Sequence, residues 1–325
     1  MKTILVSGAS GIVGYGTLRS LRSARMDLCL IGTSIYDDSV APGFCDVFEQ
    51  AVPTSDPAYM PWLLQTIRKH RVDLLIPGIE IDMYAWVDQT QSIEGAGARV
   101  LQNDVALIQL CKDKWTFFEH LAAAGLACTL DSSLCQDFDW LCQRFGLPFI
   151  LKPRRGFGSK GIVRVGSEAQ FAPHRAQVGP VLMAQPIVGY DDEEFTTSAF
   201  CDGQGGLLAS MTLQRKLSRD GFTDRAEVVD TQPFLDTMQQ LCRHLRPHGP
   251  TNFQFRQTDD GPKLLEINPR ISSSTSIRAA FGYNESAMAV DYFLNGIRPI
   301  QPKIRRGKVV RYTEDFIFYD NSLHL

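Results

Sequence analysis

The sequence predicts an α/β unit followed by a mixed α+β region built on antiparallel sheets, and three observations carry that prediction. Residues 3–7 (TILVS) form a short β-rich apolar run that passes through the glycine turn GASGIVG into a helical pattern at Leu18, Leu21 and Ala24. Strand, glycine turn and helix open a doubly wound, Rossmann-like domain. Apolar runs and helix-like segments then alternate to about residue 105. From residue 106 the texture changes, and closely spaced strand-like runs take over.

In order, the first unit (1–105) continues with the run Leu28–Ile31, which ends at Gly32, a helix-like segment near 58–70 and the strand DLLIP (73–77). The stretch CKDKWTFFEHLAAAGL reads as a helix, and a second helical pattern lies near 137–146. The strand PFILK (148–152), the loop PRRGFGSKG and the strand IVRV follow, then a polar helix-like piece at 167–177. The strand VLMAQ (181–185) and the turn PIVGYDDE close a second unit, 106–190. The third unit, 191–325, has strand-like runs near 194–201, 207–215, 225–231, 251–257 and 263–267, with helices near 233–245 and 271–295. No repeat and no low-complexity linker interrupts them.

Composition narrows the function. The 325 residues are 44% hydrophobic and 21% charged, ordinary values for a globular chain. Thirty-three Lys and Arg against 36 Asp and Glu give a formal charge of −3, without the basic excess of a nucleic-acid binder. No apolar run approaches the roughly 20 residues that span a bilayer. The opening ILV is too short for a signal peptide, so a cytoplasmic enzyme acting on small molecules is the expectation, with neither nucleic acid nor membrane as partner. Eight cysteines without a CxxC pair read as reduced, small core hydrophobes. Cys128, Cys135 and Cys142 recur every seven residues, but Asp131, Ser132 and Ser133 interrupt them. His244 and His248 have the i, i+4 spacing of zinc ligands; with Pro247 between them, they read as a frayed helix end.

Gly8, Gly11 and Gly14 give GxxGxxG at a helix N-terminus, where backbone NH groups can hold phosphate. A nicotinamide reductase is therefore the rival from another class. Two features count against it: no Tyr is followed four residues later by Lys, and the second strand ends in Gly32-Thr33-Ser34 with no acidic residue for a ribose. Close packing of helix on strand, or a substrate contact, explains these glycines better.

The deciding constellation is near the C-terminus. TNFQF is followed, twelve residues after Gln254, by Glu266 in LLEINPR. Glu266 and Asn268 alternate on one strand and face one side, where Gln254 on a neighbouring strand would join them. One carboxylate and two amide oxygens suit a hard cation, Mg²⁺ or alternatively Mn²⁺, that bridges phosphates. Upstream stands KPRRGFGSKG, in which Lys152 ends an apolar strand and Gly156, Gly158 and Gly161 make a flexible hairpin, with Lys160 as a further cation. Such a hairpin lets NH groups close over a triphosphate.

Together these segments resemble the ATP-grasp superfamily, and in particular its carbamoyl-phosphate-synthase-like branch, over nearly the whole chain. The resemblance implies a two-lobed ATP-grasp fold behind the N-terminal βα domain. KDKWTFFEHLAAAGL is similar to the family's first helix, whose phosphate-binding base matches Lys114. FILKPRRGFGSKGI matches the strand and lid, which implies Lys152, Gly156, Gly158, Ser159, Lys160 and Gly161 as ATP contacts. VLMAQPIVGYDDEEFTT resembles the hinge, so Gln185, Pro186 and Ile187 would meet adenine and Glu194 the ribose. The family often has Glu where Gln185 stands. Gln254, Glu266 and Asn268 match the metal set, and Arg270 the arginine at the acyl-phosphate end.

The implied chemistry is an ATP-dependent carboxylate–amine ligase that makes an amide or peptide bond through an acyl phosphate and releases ADP and phosphate. Lys152 and Arg270 would bring carboxylate and γ-phosphate together against their repulsion. A kinase-like variant that stops at a phosphorylated product is the alternative within the family. Arg215 and Lys216 read either as a further carboxylate or phosphate clamp or as a solvated edge-strand tip. Glu80 and Asp82 follow the strand DLLIP, at the end of an α/β sheet where ligands bind, and read as holders of a substrate ammonium, or through Asp82 as a helix cap. One copy without a glutaminase counts against the bicarbonate reaction of a complete carbamoyl phosphate synthase. A homodimer is compatible with all of this.

Overall fold

The structure is a computed structural model that describes residues 1–156, 160–190, 193–219 and 221–319. Three sheets organise it. The first is parallel throughout, with order β3-β2-β1-β4-β5, from β1 (Lys2–Val6), β2 (Leu28–Ser34), β3 (Val47–Gln50), β4 (Leu74–Ile76) and β5 (Arg99–Val100). Helices α1 (Ile12–Ser23), α2 (Tyr59–His70), α3 (Glu80–Val87) and α4 (Thr90–Gly95) connect its strands. Because helices cover both faces, Ile4, Leu5 and Val6 are all inaccessible to solvent, unlike the alternation of a one-sided strand.

The glycine turn between β1 and α1 is filled by its own backbone. A Cβ on Gly14 would stand 2.3 Å from the Gly8 carbonyl oxygen, and one on Gly78 would stand 2.0 Å from that of Ser7. These glycines let the β1–α1 and β4–α3 turns pack against each other, one of the two roles the sequence left open for Gly14.

Next, α5 (Val105–Cys111) precedes the helix expected from residue 111, which is α6 (Lys114–Ala123) and starts three residues later. Asp113 sets that start: its carboxylate accepts from the backbone NH of Trp115 and caps α6. Helix α7 (Phe138–Phe145) packs on an antiparallel three-stranded sheet, β7-β6-β8, of β6 (Phe149–Pro153), β7 (Val163–Val165) and β8 (Leu182–Pro186). The helix expected over 167–177 shrinks to α8 (Glu168–Phe171) and a 3-10 turn, since Pro173 lacks the NH that a continuing α-helix needs.

The third sheet has six strands, all paired antiparallel, in the order β13-β12-β9-β10-β11-β14. They are β9 (Glu194–Asp202), β10 (Leu207–Leu217), β11 (Thr223–Val229), β12 (His248–Thr258), β13 (Gly261–Asn268) and β14 (Lys308–Val310). Helix α9 (Gln232–Leu245) buries Phe234, Met238, Leu241, Cys242 and Leu245, a 3.6-period stripe, in one core with Phe117, Phe118 and Leu121 of α6. The helix expected over 271–295 divides into α10 (Thr275–Ala280) and α11 (Glu285–Asn295) at Gly282, whose φ of +103° no other residue type adopts readily. On the opposite face α10 leans on α1, where Gly16 faces Thr275.

Candidate active site

A cleft of about 390 Å³ opens between the three-stranded sheet and the strands β9, β12 and β13. Its wall brings together Lys114, Lys152, Gly156, Lys160, Gln185, Pro186, Ile187, Glu194, Gln254 and Glu266. These residues come from α6, β6, the loop behind it, β8, β9, β12 and β13, so the sheets place what the sequence scatters over about half the chain. Gly161, at φ +76°, lies against Pro153 outside the lining. Gly158 and Ser159 lie outside the described residues.

Lys152 alternates on β6 with the core residue Leu151, which leaves it only 7% exposed, its Nζ 4.8 Å above the Phe118 ring. Burial pushes its pKa down to about 7; Glu266 opposes the shift and Lys114 adds to it. Lys114 is held more tightly. Its Nζ donates to the Gly156 carbonyl at 2.6 Å and stands 3.4 Å from Glu266.

Behind it Asp113 pairs with Arg154 at 2.9 Å and with Arg155 at 3.2 Å, clasping the root of the glycine loop to α6. Burial pushes this carboxyl up, but the Arg154 hydrogen bonds and charge outweigh it and leave the pKa lowered. Sequence reasoning passed over Asp113, although Asp one position before an apolar helix start is a capping signal.

At the other wall Gln185 is fully buried. Its amide nitrogen donates to Ser132 Oγ at 2.8 Å, and its Oε1 has no partner. A buried acceptor left unmatched costs on the order of 1–3 kcal/mol, so a donor arriving in the cleft would be favoured there. Glu194 lines the same cleft and accepts on Oε1 from Arg215 Nε at 3.0 Å and Nη2 at 2.7 Å.

That ion pair corrects one reading of Arg215. Strand β10 lies between β9 and β11, so Arg215 is buried at 6% exposure and is no solvated edge-strand tip. Lys216, pointing to the opposite face, is exposed and outside the cleft lining.

Gln254 stands opposite Glu266 in the β12–β13 register, and Asn268 opposite Asn252. Glu266 and Asn268 thus share a face, with Asn268 one step beyond the cleft lining. There Arg270 donates from Nη2 to Glu80 at 2.6 Å and to Asn268 Oδ1 at 3.3 Å. Glu80, in the first turn of α3, is therefore an ion-pair partner of Arg270 and not a carboxylate standing free for an ammonium.

Asp82 departs further from expectation. It is 3% exposed, accepts from Thr54 Oγ1, and burial raises its pKa against the hydroxyls of Thr54, Ser7 and Tyr59. It lies inside the first turn of α3, whose N-cap is Ile79, so it neither caps that helix nor faces the cleft. Arg278 and Glu285, which the sequence did not single out, form a fully buried pair beneath β9 and β12, with Arg278 donating to Thr196 and Asn252 at 3.0 Å each.

A family model described as ATP-grasp in the biosynthetic pathway with Ter operon matches residues 182–316, the stretch that carries β8 to β14. That stretch, about two fifths of the chain, is similar to the ATP-grasp superfamily. Among curated relatives, the carbamoyl phosphate synthase large chain of Methanosarcina mazei is 22% identical over 239 residues, covering 67% of this chain and 22% of the relative. An uncharacterized protein, y4rH, of Sinorhizobium fredii is 26% identical over 188 residues, 53% of this chain and 38% of that one. The chain thus spans well under half the length of either relative.

Solved ATP-grasp structures share the fold. N5-carboxyaminoimidazole synthetase from Staphylococcus aureus superposes with a TM-score of 0.72 at 16% identity, over 93% of this chain and 80% of that one. Biotin carboxylase from Campylobacter jejuni, solved as a β-γ-ATP complex, gives 0.71 at 14% identity, over 94% and 74%.

Proposed function

We propose that this protein is an ATP-dependent carboxylate–amine ligase that activates an acid as its acyl phosphate and releases ADP and phosphate. The observation that carries the reading is a buried lysine, Lys152, with no carboxylate within ion-pair distance among the described residues, in a cleft that also holds Glu266 and whose far wall has an unmatched acceptor on Gln185. A cleft of this size falls in the range of small-molecule sites. The adenine amino group would donate to Gln185 Oε1, with Pro186 and Ile187 alongside and Glu194 at the ribose. Lys114, Lys152 and Lys160 would take the phosphates.

The donor set fits a hard cation. Glu266 offers a carboxylate, Gln254 and Asn268 offer amide oxygens, and Mg²⁺ commonly takes one or two carboxylates with phosphate oxygens and water. Mn²⁺ accepts the same oxygens. When bound, the metal would supply charge neutralisation at the transferring phosphate. Arg270 would then stabilise the acyl-phosphate end, oriented by Glu80 and Asn268, while Asp113 holds the root of the loop that excludes water.

In this reading residues 1–105 shape the acceptor side, 106–190 carry the loop and the adenine wall, and 191–325 carry the metal strands. Acid and amine partners would be small molecules, consistent with relatives named for carboxyaminoimidazole and carbamoyl phosphate synthesis. A screen of amino acids and sugar acids for ADP release tests it. ADP release that requires both an acid and an amine is expected. Release with an accumulating phosphorylated product and no amine requirement would move the assignment to the kinase-like alternative.

A further inference from the structure

Outside the cleft, the histidines that the sequence paired have found other neighbours. Pro247 ends the helical run, and His248 enters β12, half-buried, with its ring 5.6 Å from Tyr292 and 5.0 Å from Phe293. His244 instead turns toward His120 of α6. Their Nε2 atoms are 3.0 Å apart and their ring centroids 4.8 Å apart, on the exposed side of both helices.

The backbones that present them are fixed from within. Leu121 beside His120, and Leu241 and Leu245 around His244, are buried in the same core. Two ligands on packed helices hold their spacing better than two on loops.

That spacing has a chemical meaning. Two imidazole nitrogens on one tetrahedral Zn²⁺, each at 2.0–2.1 Å, stand about 3.4 Å apart. A small rotation of either exposed ring covers the remaining difference of about 0.4 Å. At 3.0 Å the two atoms are within hydrogen-bond distance, and with both rings as Nδ1–H tautomers both Nε2 lone pairs are free for a metal. Among the described residues no group of three or more His, Cys, Asp or Glu is gathered for a metal, so water would fill the other positions. Imidazole favours Zn²⁺, Cu²⁺ or Ni²⁺ over Mg²⁺, which separates this pair from the oxygen donors in the cleft.

We propose that His120 and His244 form a two-imidazole site for a borderline transition-metal cation, Zn²⁺ foremost, which staples α6 to α9. The site stands on its own geometry, apart from the ligase reading, though α6 begins at Lys114 and so carries the staple to the edge of the cleft.

The test uses the whole chain and Zn²⁺ alone, by calorimetry and thermal unfolding, on wild type, His120→Gln, His244→Gln and a His248→Gln control. Wild type and His248→Gln should bind one Zn²⁺ per chain at this site and unfold at higher temperature with it than His120→Gln and His244→Gln do, because the two-imidazole site exists only in the folded state. His120→Gln and His244→Gln should each bind at least about tenfold more weakly, having lost one of two ligands. His120→Ala and His244→Ala, which offer no donor, should repeat that loss. Cu²⁺ in wild type should show two nitrogen ligands by electron paramagnetic resonance. Equal Zn²⁺ affinity in all variants, a loss in only one of the pair, or the same response to Mg²⁺ would overturn the site.

Discussion

The two ends of the cleft hold their cations in opposite ways. Against the three-stranded sheet, Lys152 is buried over the Phe118 ring, with no carboxylate within ion-pair distance among the described residues and its pKa pushed down to about 7. Against the six-stranded sheet, Arg215 faces Glu194 at 2.7 Å and Arg270 faces Glu80 at 2.6 Å, each already matched. A buried cation without a partner destabilises the fold and persists where a ligand brings the missing anion. A matched arginine is oriented beforehand, and an incoming anion must compete with the carboxylate it holds. In the proposed reading Lys152 would receive phosphate, the Arg215–Glu194 pair would hold Glu194 in place for the ribose, and Arg270 would be selective about the acid.

The largest effect should come from the metal strand between these ends. Glu266→Ala removes the one carboxylate of the proposed metal set and should lower ADP turnover on the order of 10² or more, if metal polarisation supplies several kcal/mol. Asn268→Ala should act the same way but less severely, as water can take its place. Near-normal turnover in Glu266→Ala would remove the metal assignment.

Next comes Lys152→Met, which keeps the length and drops the charge. It should weaken ATP binding at least about tenfold while leaving the protein folded, since an apolar replacement of an unpaired buried charge is tolerated. The sign of the pH effect follows from the depressed pKa. Between about 7 and the ordinary lysine value the unfolded chain binds more protons, so ligand-free stability should rise with pH across that window. Lys152→Met should flatten the rise, measured by urea unfolding at pH 7 and pH 9.

Glu80→Gln sharpens the contrast at the other end. Because Glu80 holds Arg270, its loss should raise the acceptor's KM and also alter acceptor-independent ATP hydrolysis. Asp82→Asn, close by in sequence but enclosed, should change only stability, and an altered acceptor KM in that variant would return Asp82 to the site. The smallest effect belongs to Gln185→Ala, a modest loss of nucleotide affinity, since backbone at Ile187 would remain.

Which features were legible follows the same division. Lys114, Lys152, Gln185, Glu194, Gln254 and Glu266 sit on strands or at helix starts with strong local patterns, and they reach one cleft because pairing register is set by those patterns. What local pattern does not encode is the partner across an interface. Nothing around Glu80 announces Arg270, 190 residues away, and nothing around Arg215 says that β10 will lie between β9 and β11 with Glu194 opposite it. Asp82 misled because a carboxylate after a strand marks a ligand site and a buried hydrogen-bonded group alike. The helix start at Asp113 was readable as a cap and was hidden by the apolar run behind it.

The central claim, that the unpaired Lys152 waits for nucleotide phosphate, is tested most directly by calorimetric titration of an unreactive ATP analogue with Mg²⁺ at pH 8, in two buffers of different ionisation enthalpy. Lys152 is mostly neutral there and would become charged beside phosphate, so binding should require Mg²⁺ and take up close to about one proton, an uptake absent from Lys152→Met. Tight NADH binding with no response to the ATP analogue, or nucleotide binding whose proton uptake is zero and unchanged in Lys152→Met, would contradict it.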